Sequence, residues 1–73
     1  MIVIESTKQD VSINIFLDHE GIDELIDFLN YIKKNDESLH LTQGNELEET
    51  PITANGKLID SVKLIYVSKK NST

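Results

Sequence analysis

Residues 18–36 read DHEGIDELIDFLNYIKKND, and this stretch decides the fold class. Ile22, Leu25, Ile26, Leu29 and Ile32 recur at i, i+3, i+4, i+7 and i+10, with Phe28 on the flank. That spacing is one apolar stripe on an α-helix. Asp18 is a good N-cap, able to accept from the free amides of the first turn. Acids crowd the first turns while Lys33 and Lys34 close the last, and both complement the helix macrodipole. Asn35-Asp36 ends the run, so a helix over about 19–34 is expected. Gly21, near its start, costs a little helix stability. The opposite face carries Asp23, Asp27, Asn30 and Lys34, an acidic ridge.

Strands flank this helix. IVIE (2–5) is β-branched, STKQD (6–10) is turn-like, and VSINIFL (11–17) alternates with Val11, Ile13, Ile15 and Leu17 on one face. Period two predicts a half-buried strand, and the short linker predicts a hairpin. SLHLT (38–42) is a third strand. QGNE has turn chemistry, and ELEET (46–50) reads as a short return with Leu47 inward before Pro51. ITANGK (52–57) is a loop, with Asn55-Gly56 a second turn signal, and LIDSVKLIYV (58–67) is the last strand. The expected architecture is α+β: a small, largely antiparallel four- to five-stranded sheet in the order ββαβ(β)β, with one amphipathic helix packed on one face. Residues 1–67 form a single domain, and 68–73 a disordered polar tail.

The expected core is Ile2, Ile4, Val11, Ile13, Ile15, Leu17, Ile22, Leu25, Ile26, Leu29, Ile32, Leu39, Leu41, Val62, Leu64 and Tyr66. The other sheet face then shows Val3, Phe16, Ile65 and Val67 among polar residues. An uncovered antiparallel face should be mainly polar. Four large apolar side chains there predict an association patch, used by a homodimer or a docking partner.

Seventy-three residues give one small core, and the absence of cysteine excludes disulfide support. Packing or association must stabilise the chain. The net charge is −6, with ten acids against Lys33 and Lys34 between Asp18 and Glu49, a local charge of −8. There is no arginine. Such a surface repels nucleic acid and anionic lipid and attracts a basic protein. The opening MIVIESTKQD has no basic n-region or apolar h-region, and no apolar run approaches a membrane span. A cytoplasmic protein is expected.

Chemistry is poorly represented. His19 and His40 lack the i, i+4 spacing of a helical zinc site, and there is no nucleophile elbow. Gly21, Gly44 and Gly56 are isolated, so no phosphate loop exists. The expectation is a non-enzyme with no catalytic, cofactor or metal residues. HLTQGNELEE (40–49) instead reads as a displayed acidic edge on a turn, where binding groups are commonly carried.

The segments IFLDHEGIDELIDFLNYIKK, HL, GNELEETP and LIDSVKLIYV together resemble immunity family 32 of bacterial polymorphic toxin systems, over about residues 13–67. The matching positions are Leu17, Asp18, Glu20, Gly21, Ile22, His40, Leu41, Gly44, Glu46, Leu47, Val62, Lys63, Leu64 and Tyr66. The chain departs from the family in its single Gly44 before Glu-Leu and in His19 where proline is frequent. The resemblance implies an immunity protein that binds and neutralises one cognate toxin. Many such toxins act on nucleic acid through a basic cleft, which suits an acidic inhibitor. The residues expected to bind it are Glu46, Glu48 and Glu49, followed by Asp23 and Asp27. The competing expectation is a small homodimeric structural or accessory domain with no toxin partner.

Overall fold

A computed structural model describes residues 1–7, 12–54 and 56–68. The elements run β1 (Ile2–Ser6), β2 (Ile13–Leu17), α1 (His19–Asn35), β3 (Leu39–Thr42), β4 (Lys57–Leu58) and β5 (Ser61–Leu64). The fold is α+β, with one helix and antiparallel strands among the described residues, as expected. The strands divide into a three-stranded sheet of order β2-β1-β4 and a two-stranded sheet, β3-β5.

β1 is the strand around which everything is arranged. On one edge it pairs antiparallel with β2 along its whole length, from Ile2 opposite Leu17 to Ser6 opposite Ile13. On the other edge the Ile2 carbonyl accepts from the Glu48 amide and the Ile4 carbonyl from the Ile59 amide, both at 2.9 Å. Beyond them, Glu5 and Ser6 pair with Leu58 and Lys57 of β4. Both faces are closed as well, because Ile2, Val3, Ile4 and Glu5 are all buried. A continuous apolar run suits a strand buried on both faces better than alternation does. The core joins Ile2 and Ile4 to Leu41 and Leu47, and Leu17, Leu25, Phe28, Leu39, Ile59, Val62 and Leu64 pack against it.

α1 starts where the sequence predicts. The Asp18 carboxylate accepts from the Gly21 amide at 2.7 Å and also from the Met1 ammonium. The helix ends at Asp36, whose backbone is left-handed (φ 53°) and whose amide donates to the Ile32 carbonyl at 2.9 Å. Gly21 has a role the sequence did not disclose. It is buried, and a Cβ on it would lie 1.9 Å from the Met1 carbonyl oxygen. Glycine therefore lets the first turn of α1 lie against the chain just before β1.

Several expectations need correction. The strand expected over 58–67 is two short strands. The chain pairs with β1 at Leu58, leaves it at Ile59-Asp60, and pairs with β3 from Ser61 to Leu64. Residues 46–50 form no strand, although Leu47 does point inward, at 2% exposure. The expected core is also too large. Ile13, Ile15, Ile22, Ile26, Leu29 and Tyr66 are exposed, whereas Val3 and Leu47 are buried. The cause on α1 is its rotation. Gly21, Leu25, Phe28 and Ile32 turn toward the body, and the line one residue further round faces out. Val11, Asn55 and residues 69–73 lie outside the described residues.

Gly21→Ala is expected to destabilise the fold by about 1–3 kcal/mol through overpacking against the Met1 backbone, despite alanine's better helix propensity. Leu47→Ala should cost about 2–5 kcal/mol, as a truncation in a small core. Urea unfolding followed by circular dichroism measures both. A stabilised Gly21→Ala chain would contradict the close approach.

Candidate partner-binding surface

The turn after β3 is held by many bonds. The Thr42 carbonyl accepts from the Asn45 and Leu47 amides, both at 3.1 Å, and the Leu47 carbonyl accepts from the Gly44 amide at 2.8 Å. The Asn45 side-chain amide donates to the Thr42 hydroxyl at 2.7 Å, and the Gln43 amide to the Asp60 carbonyl at 2.8 Å. Gly44 sits at φ +85°, a conformation glycine adopts without strain. The buried Leu47 side chain anchors the turn from below.

This platform sorts the three predicted glutamates. Glu46 turns inward: its Oε1 accepts from the Thr42 amide at 3.0 Å, and the residue is half-buried. Its carboxyl is held below the usual value chiefly by that amide, then by its own, with His40 adding a smaller effect. Two of the three glutamates were expected to face solvent, and Glu46 is the one that turns in, with its Oε1 engaged by the turn. Glu48 and Glu49 are exposed. Together with Gly44, Asn45, Leu47 and Thr50 they line an open depression of about 310 Å³. Glu49 leans over Gly44, so that a Cβ there would meet its Oε2 at 2.6 Å. Among the described residues, neither carboxylate has a hydrogen bond or ion pair.

Asp23 and Asp27 are exposed on α1 and do not line this depression. The predicted apolar association face does not assemble. Val3 is buried at 1% exposure and Phe16 is half-buried, both in the β1 sheet. Ile65 and Val67 are exposed, at 66% and 67%, but lie beyond the end of β5 in the other sheet. The division of the sheet at Ile59-Asp60 separates the two halves of the patch.

His40 is exposed on β3, opposite Lys63 of β5. Among the described residues no group of three or more His, Cys, Asp or Glu side chains converges as metal ligands would. No helix of the described residues is long and apolar enough to cross a membrane.

One acid escaped the sequence reading altogether. Glu5, at 1% exposure, accepts from the Ile52 amide at 2.5 Å, the Thr53 amide at 3.3 Å and the Thr53 hydroxyl at 2.7 Å. These bonds fasten the loop after Pro51 to the central strand. The loop needs Gly56, because a Cβ there would lie 2.1 Å from Glu5 Oε1. The Thr53 hydroxyl, then the two amides, lower the Glu5 carboxyl below its ordinary 4.5, against the opposing effect of burial. The available signal was an acid placed directly at the end of an apolar β-branched run.

Comparison with protein-family models, characterised proteins and solved structures finds no match.

A carboxyl lowered on folding stabilises above its unfolded value, and that stability is lost as pH falls through the folded value. Glu5, Asp18 and Glu46 all shift in this direction. Thermal midpoints should therefore fall as pH drops below about 4.5. Glu5→Gln should lower the midpoint at pH 7 and flatten this acid limb. An unchanged midpoint at neutral pH would remove the clamp.

Proposed function

We propose that this chain is an immunity protein, which neutralises a basic toxin by covering the toxin's functional cleft in the cytoplasm of the producing cell. The observation that carries this reading is the pair of unpartnered carboxylates, Glu48 and Glu49, at one open depression on a hydrogen-bonded turn. A lysine or arginine entering between them would gain charge-assisted hydrogen bonds. The turn is already ordered, so little conformational entropy would be lost on binding.

Charge placement and the sequence resemblance support the same reading. Asp23 and Asp27 on α1, with Glu20 and Glu24 beside them, are exposed and add a second acidic surface. Like charge at this density disfavours nucleic acid as the partner and favours a protein with a basic cleft, a nuclease among the suitable kinds. Association would be fast and strongly salt-dependent.

The test is co-expression with the product of the neighbouring toxin reading frame. Glu48→Lys with Glu49→Lys should weaken binding at least about tenfold and reduce its salt dependence while the chain stays folded. Glu46→Gln should act mainly on stability, through the turn. Full protection by the double variant would reject this surface, and failure of the native chain to bind that product would reject the function.

A further inference from the structure

Glu5 is the only buried charged side chain among the described residues, and its hydrogen-bond donors all come from one segment. Residues 48–54 are exposed throughout and belong to no helix or strand. One end of this segment is held by the buried Leu47 and by the Glu48 amide on the Ile2 carbonyl. The chain is next held where β4 pairs with β1 and where the Ile59 amide meets the Ile4 carbonyl. Between these anchors, Ile52 and Thr53 are tied to β1 through the Glu5 carboxylate. A segment with little buried apolar surface opens at lower cost than the global fold. Its closed state therefore rests on Glu5.

Both carboxylate oxygens are used. Oε2 accepts from two amides and Oε1 from the Thr53 hydroxyl. Gly56 roofs the second bond, because a Cβ there would lie 2.1 Å from Oε1 and 2.2 Å from Thr53 Oγ1. An ionised carboxylate accepts on both oxygens, whereas a protonated one gives part of that capacity to its own O–H. Among the described residues, Glu5 stands opposite Asn14 of β2 and Leu58 of β4, and the loop brings Ile52, Thr53 and Gly56 against it. None of these titrates. Lys57, the neighbouring position on β4, is opposite Ser6 and exposed.

We propose that residues 48–54 form a strap latched by the ionised Glu5, which opens locally on acidification while β1, β2 and α1 stay folded. The strap carries Glu48, Glu49 and Thr50, which line the open depression together with Gly44, Asn45 and Leu47 of the turn. Opening draws the first three away from the last three and dismantles the depression. Release of a bound partner in acid follows, a consequence that rests on the proposed function, whereas the latch does not.

The test is amide hydrogen exchange of the full chain without a partner, followed by NMR from about pH 7 to about pH 3.5 and corrected for intrinsic rates. The Ile52 and Thr53 amides should be protected at neutral pH and lose protection at least about tenfold in acid, while the amides of β1 and β2 keep theirs. Exchange at Ile52 and Thr53 should also respond little to low urea, as a local opening does. Glu5→Gln should show the acid behaviour at neutral pH and no further change on acidification. Thr53→Val keeps the carboxylate and removes one donor at an exposed position, so it decides where Glu5→Gln fails to fold. It should lower protection at Ile52 at least about threefold at neutral pH and retain the acid step. Unprotected Ile52 and Thr53 amides at neutral pH overturn the latch. So does exchange that falls in step with β1 and β2, or that is indifferent to pH. A chain that opens as expected but binds no toxin supports the latch and rejects the proposed function.

Discussion

The structure depends on the saturation of one strand. β1 has backbone partners on both edges and is buried on both faces. In a chain this short, few side chains can be fully enclosed, and four of them stand on this strand. Elements far apart in sequence meet there. Ile59 and Glu48 bond to its carbonyls, while residues 52 and 53 bond to the Glu5 side chain. The acidic turn and the loop after Pro51 are thus both fixed by reference to β1. A partner-binding group on either is carried by the most enclosed part of the molecule.

Local elements were legible because local physics decides them. The Asp18 cap, the left-handed Asp36 and the lysines in the last turn are properties of a few adjacent residues. The same holds for the β1–β2 hairpin and for the turn at Gly44. Non-local choices were not legible. LIDSVKLIYV keeps its period across Ile59-Asp60, so nothing in it says that Leu58 pairs with Glu5 while Ser61 pairs with Thr42. That single redirection split the expected sheet and dispersed the expected apolar face. Val3, which alternation assigned to an open face, is buried, and the loop at Ile52-Thr53 closes over Glu5.

The acids divide in the same manner. Their concentration in the middle of the chain was plain from the sequence, and Asp23, Asp27, Glu48 and Glu49 are exposed. The inward turn of Glu46 was not predictable from charge, because it answers to one free amide, that of Thr42. Glu5 is the stronger case. A carboxylate at 1% exposure is tolerated because two amides and a hydroxyl replace its water. Those donors come from residues nearly fifty positions away. Such acids are structural, and counting them toward a binding surface overstates it.

α1 presents three lines of side chains on one cylinder, and they are separated in angle. At about 100° per residue, the buried line Gly21, Leu25, Phe28 and Ile32 and the exposed apolar line Ile22, Ile26 and Leu29 lie about a quarter turn apart. Glu20, Asp23, Glu24 and Asp27 centre about 150° from the exposed apolar line. The acids of α1 therefore neither shield its exposed apolar line nor take part in its packing against the body.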